Sequence, residues 1–164
     1  MSSNKTLQVS ANGDREIVMT RVFDAPRELV FEAWTKPELL RRWLLGPPGW
    51  EMIVCDVDYS EGGETRFVWR NASGEEMGMR MIGVEFVPPE RIVCIERFDQ
   101  AWYPGGEART TLTFIERDGK TTATTTVRYE SQAARDLVLK SGMASGVEAS
   151  YDRLEALLAS TLAK

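Results

Sequence analysis

SQAARDLVLKSGMASGVEASYDRLEALLASTLAK, residues 131–164, decides the fold. Ser131 is a good N-cap, and Leu139, Met143, Val147, Tyr151, Leu154 and Leu158 recur at helical spacing. The stretch is expected to form one amphipathic helix from near Ser131 to the C-terminus, with those residues facing inward. At 1.5 Å per residue, about 30 residues would span roughly 45 Å, enough to lie across a whole sheet. Gly142 and Gly146 interrupt it, each costing about 1 kcal/mol against alanine in a helix interior. Two readings stand open: the helix breaks near Ser141-Gly142, or small residues let a backbone or ligand come close.

Upstream, the alternation is that of strands. Arg15 to Asp24 is β-branched and apolar, and reads as the first. Ala25-Pro26-Arg27-Glu28 then opens a short helix, with proline at its first position and an apolar stripe of Leu29, Val30, Ala33 and Trp34. Pro37 restarts a second, carrying Leu39, Leu40 and Trp43, which Gly46-Pro47-Pro48-Gly49 ends. Six further strands follow, near 50–59, 65–70, 75–87, 91–99, 107–116 and 121–129. They are joined by short turns, among them the hairpin signal Asp118-Gly119. Short connections imply an antiparallel meander. The expected class is therefore α+β: a curved sheet of about seven strands gripping a long C-terminal helix. Residues 1–14 read as a flexible tail and 15–164 as one domain.

Composition narrows the function. The chain has 164 residues, 43% hydrophobic and 27% charged, with a net charge of −5. That balance disfavours nucleic acid and anionic membrane as partners. No apolar stretch suggests a leader or a span, so the expected location is cytoplasmic. The two cysteines, Cys55 and Cys94, fall inside expected strands and read as reduced, buried thiols. The absence of histidine excludes Ser-His-Asp and Cys-His triads and the common His-based zinc sites. No phosphate-binding glycine loop or cysteine cluster is present, and no cofactor or metal site is assigned.

Several stretches together resemble one branch of the START-like, helix-grip SRPBCC superfamily: the homologues of the heat-shock-protein-90 ATPase activator. They are Arg21-Val22-Phe23-Asp24-Ala25-Pro26, Ala33-Trp34-Thr35-Lys36-Pro37-Glu38-Leu39-Leu40 with Trp43, and Gly46-Pro47. Asp58 with Gly62-Gly63, Pro88-Pro89-Glu90-Arg91-Ile92-Val93, and Tyr151-Asp152-Arg153-Leu154 extend the match from about residue 15 to 160. Lys36, Leu44 and Val147 depart from it, standing where the family often has an aspartate and two tryptophans. The resemblance implies a fold and a cavity, and an activity only loosely. The eukaryotic activators look like two-domain proteins whose separate N-terminal domain contributes heavily to chaperone binding, and no stretch of this sequence is expected to correspond to that domain.

If alternate residues face the helix, the cleft is lined by Phe67, Trp69, Met79, Met81, Cys94, Glu96, Phe98, Leu112 and Phe114. Met143, Val147 and Tyr151 form the roof, and Trp102 and Tyr103 stand at the mouth. A one-residue error in register would exchange every side chain of a strand. The methionines suit an adaptable apolar pocket, or ordinary core filling. Glu96 is either a cavity carboxylate or half of a solvated pair with Arg97. No residue set announces a reaction, and no catalytic residue is assigned. The leading expectation is a non-catalytic protein that holds a small hydrophobic ligand. A stress-related, chaperone-linked interaction protein comes second. Third is a cyclase or hydrolase using Glu96 or Tyr151 as its acid–base group. The sequence leaves the oligomeric state open.

Overall fold

A computed structural model describes residues 6–99 and 106–162, with the side chains of residues 98 and 99 left aside. Its eight strands are β1 (Gln8–Asn12), β2 (Glu16–Phe23), β3 (Trp50–Asp56), β4 (Glu64–Asn71), β5 (Glu76–Val87), β6 (Arg91–Asp99), β7 (Ala108–Arg117) and β8 (Lys120–Arg128). They form one sheet in the order β1-β2-β8-β7-β6-β5-β4-β3. Each neighbouring pair is antiparallel. The helices are α1 (Arg27–Thr35), α2 (Pro37–Trp43), α3 (Gln132–Lys140) and α4 (Met143–Leu162). This is the helix-grip arrangement, α4 lying against the concave face with α1 and α2 beside it.

Three expectations are corrected. The sheet has eight strands, the additional one being β1, inside the segment expected to be a tail. Its five residues are short and mostly exposed, so no apolar pattern reveals them. The Asn12-Gly13 pair, a strong hairpin signal, is what reveals it, because Gly13 adopts φ +62°. Buried Arg135 of α3 donates to the Gly13 and Glu16 carbonyls at 3.2 and 3.0 Å, pinning this hairpin to the rest.

The C-terminal helix is also two helices. Ser131 caps α3 as expected, its hydroxyl accepting from the Ala134 amide at 3.1 Å. Gly142, at φ +80°, then turns the chain in the left-handed conformation that ends many helices. Gly146 serves the other reading: a Cβ there would lie 3.2 Å from Pro47 Cδ, so the small residue admits the 44–49 loop. The break turns Leu139 outward, exposed rather than facing the sheet.

The first helix starts one residue later than expected. Pro26 is its N-cap and has no side chain to cap with, and Glu116 of β7 accepts from the Arg27 amide at 2.7 Å instead. Most residues of the motif stretches hold elements together. Buried Arg21 pairs with Asp152 at 2.8 Å, fixing α4 to β2. Arg153 donates to the Gly46 carbonyl at 2.8 Å, and the Gly46 amide donates to Ser150 Oγ at 2.8 Å. The 44–49 loop is thereby clamped to α4.

Candidate functional site

Sheet and helices close on each other at one end of the cleft only. There Phe23, Phe31, Trp34, Trp43, Phe114 and Tyr151 pack edge to face, with centroids from 4.7 Å (Trp34–Trp43) to 6.0 Å (Phe23–Trp34). Trp43 donates its indole N–H to the Ala33 carbonyl at 2.9 Å, and Tyr59 its hydroxyl to the Trp34 carbonyl at 3.1 Å. Beyond this cluster the walls separate around a cavity of about 830 Å³. Its size falls within the range of small-molecule sites, about 300–1,000 Å³.

The floor of the cavity is the concave face of the sheet. Phe67 and Trp69 project from β4, Met77, Met79 and Met81 from β5, Cys94 and Glu96 from β6, and Thr110 and Leu112 from β7. Register explains the grouping: Phe67 lies opposite Met79, Met81 opposite Glu96, and Cys94 opposite Thr110. Because side chains alternate, all stand on one face. Met143, Val147 and Tyr151 form part of the roof. Trp69 donates to the Leu44 carbonyl at 2.7 Å, fixing the floor to the 44–49 loop. The exposed Leu137, Lys140, Ser141 and Gly142 also border the cavity, which therefore opens to solvent near the α3–α4 break.

Ten of the twelve residues expected in the cleft line this cavity. Phe114 does not. It is one position farther along β7 than the cavity reaches, and its ring packs against Phe31 and Trp34 at 5.4 and 5.3 Å. Phe98 lies in β6, but its side chain is outside the described residues, as are Trp102 and Tyr103. The sequence reading missed Met19, Trp34, Trp43, Trp50, Tyr59, Thr110, Thr125, Val127 and Tyr129, among others. Thr110, Thr125 and Val127 were available from the same alternation that selected Leu112. The tryptophans of the short helices were not, because helix phase alone does not say which neighbour they meet.

Polar groups are few, and burial dominates their chemistry. Glu96 retains some accessible surface, and the wall that holds it shields its carboxyl from bulk water and raises its pKa above the carboxylate norm. The Thr110 hydroxyl close by offsets part of that rise. Glu96 is thus a cavity carboxylate, and no ion pair with Arg97 accompanies it among the described residues. Burial also pushes the Cys94 thiol up to about 11, with the Glu96 charge adding to it. The thiols of Cys55 and Cys94 are both free and buried. Tyr151 is raised by burial too, against the opposing influence of the Thr125 hydroxyl and Arg21. Tyr59 follows the same direction. Such a wall favours neutral forms, and its thiol, Cys94, is a poor nucleophile. Among the described residues no three potential metal ligands converge, and no helix is long and apolar enough to cross a membrane.

An antiparallel sheet gripping a helix over an apolar cavity defines a helix-grip protein. A family profile described as Activator of Hsp90 ATPase homolog 1-like protein matches residues 24–159, and the chain belongs to that family. Among solved structures, a Rhodobacter sphaeroides protein is 32% identical over 94% of this chain and 99% of its own, with a TM-score of 0.85. A Chromobacterium violaceum protein is 28% identical over 88% and 96%, with a TM-score of 0.73. The AHSA1 protein of Silicibacter pomeroyi is 19% identical over 89% and 99%; its TM-score of 0.71 shows the shared fold alone. Comparison with curated proteins gives no match.

Proposed function

We propose that this chain binds a small hydrophobic molecule in the cavity between sheet and α4, without catalysing a reaction on it. The cavity itself carries the reading: about 830 Å³ bounded largely by methionine, leucine, valine and aromatic side chains. Met77, Met79, Met81 and Met143 on its wall can adjust to ligands of different outline. Thermal-shift screening against fatty acids, sterols, aromatic polyketides and flavonoids tests it. A ligand at about 100 times its dissociation constant adds about 2.7 kcal/mol of stability when it binds the folded state alone. A saturable shift from one chemical class is the expected result. No shift from any class, together with no binding by calorimetry, would overturn it.

A second reading rests on the family match: contact with an Hsp90-type chaperone. It predicts association through exposed surface, unaffected by filling the cavity. Alanine at Trp102 and Tyr103 tests the aromatic pair that the sequence marks out, and unchanged binding and ATPase stimulation would dismiss that patch.

A further inference from the structure

Most polar atoms on the cavity wall are already committed. Tyr59 donates to Trp34, Ser150 accepts from Gly46, and Trp69 donates to Leu44. Thr110 is the exception. It is 6% exposed, it borders the cavity, and its hydroxyl oxygen is buried without a well-formed hydrogen bond. Its polar neighbour is Glu96, whose carboxyl it helps to stabilise, so the hydroxyl keeps lone pairs open to a ligand or a water. Beside it stands Glu96, the one carboxylate among the described residues of the wall. Directly across from Glu96 on the two adjacent strands are Met81 and Ala108, neither of which can hydrogen-bond through its side chain in any strength.

Resting on the reading that the cavity holds a ligand, we propose that Glu96 and Thr110 form its polar pole. They select apolar molecules whose polar end donates a hydrogen bond, an alcohol, phenol or amine, over carboxylates. If Thr110 turns its hydroxyl hydrogen to Glu96, the pair still offers free lone pairs on both residues and is an acceptor site for a donating headgroup. With Glu96 ionised, a fatty-acid carboxylate brought there would place a second negative charge against it in low dielectric. Lys140 is the one cation on the described wall, and it stands at the exposed end of α3 rather than on the strand floor. Among the described residues of the wall, the remaining titratable side chains are Tyr59, Cys94, Tyr129 and Tyr151, none of a type that carries positive charge. None of them supplies the positive charge a carboxylate would need.

Titration calorimetry with decanol, decylamine and decanoate tests the selection, because the three share one chain and differ only in headgroup. Decanol and decylamine are expected to bind at least about tenfold tighter than decanoate at neutral pH. Decylamine affinity should rise with pH as Glu96 releases its proton, and decanol affinity should rise less, because the amine gains an ion pair and the alcohol only a charge-assisted hydrogen bond; this separates the amine from the alcohol. Glu96→Gln should remove that pH dependence and narrow the gap to decanoate, and Thr110→Val should weaken decanol. Both variants are near-isosteric, and their unfolding curves confirm that they fold. Decanoate binding as tightly as decanol in the wild-type chain would overturn the selectivity and leave the ligand-binding reading intact. Failure of all three, and of every class in the thermal screen, would overturn both.

Discussion

The two ends of the cleft are built from the same sheet and the same helix, yet one is filled and the other is not. At the packed end Trp34 alone meets Phe23, Trp43, Phe114 and Tyr151, each within 6.0 Å. At the cavity end the strands instead present Met77, Met79 and Leu112, all only partly buried. Side-chain volume and origin account for the contrast. At the packed end rings from α1 and α2 interlock with rings from the sheet, whereas at the cavity end the floor faces the end of α3, the first turns of α4 and the 44–49 loop without rings between them, and Trp34 and Trp43 only close one side. Stability and binding are therefore assigned to different places along one cleft, so damage to one need not damage the other.

The largest effect that can break this comparison is on stability. Trp34→Ala removes the central ring of the packed end and is expected to cost about 3–5 kcal/mol. Met79→Ala, already facing the cavity, should cost only about 1 kcal/mol. Chemical denaturation measures both, and equal losses would mean that the cavity end is packed in solution. Filling the cavity approaches the comparison from the other side. Val147 stands on the roof with space below it, so Val147→Trp should abolish ligand-induced thermal shifts while costing no more than about 1–3 kcal/mol of stability. A variant that keeps full binding would show that ligands occupy another site. Next in size is Gly142→Ala at the hinge between α3 and α4. With φ at +80° and nothing near enough to clash, the penalty is backbone strain alone, about 1 kcal/mol by unfolding.

The packed end was the more legible of the two in composition, and the cavity end in register. Alternation placed Phe67, Met81 and Cys94 on one face because a strand has a period of two and both neighbours obey it. It failed to stop at Leu112, since nothing in the alternation of β7 says where the rings of α1 begin to cover it. Trp34 and Trp43 were legible as an apolar stripe and illegible as cavity wall, because a helix face acquires meaning only from what it packs on. Bulges at Met52/Val54 and Gly83/Glu85 shift register without a marker in hydrophobicity. The break at Gly142 was readable as a cost whose purpose was open; the observed left-handed turn decides it, and Pro47 against Gly146 gives the second glycine a separate cause. Strand β1 escaped because it buries little, leaving only Asn12-Gly13 to announce it.

The smallest effect concerns the one carboxylate at the cavity end, and its sign separates a buried Glu96 from a solvated one. Its folded-state pKa lies above the unfolded value, so between the two the native state binds more protons than the unfolded state. Stability from this group is complete below the ordinary carboxylate range and is lost as pH rises through the folded pKa. Glu96→Gln cannot ionise and escapes that loss. The stability difference, variant minus wild type, should therefore grow more positive as pH rises above the ordinary carboxylate range and level off once pH passes the folded-state pKa. Subtracting the two proteins cancels every other titrating group to first order. A difference that is flat with pH would place the carboxyl in water, and with it would go the polar pole; a difference that falls would mean that an unrecognised cation pairs with Glu96 in the folded protein.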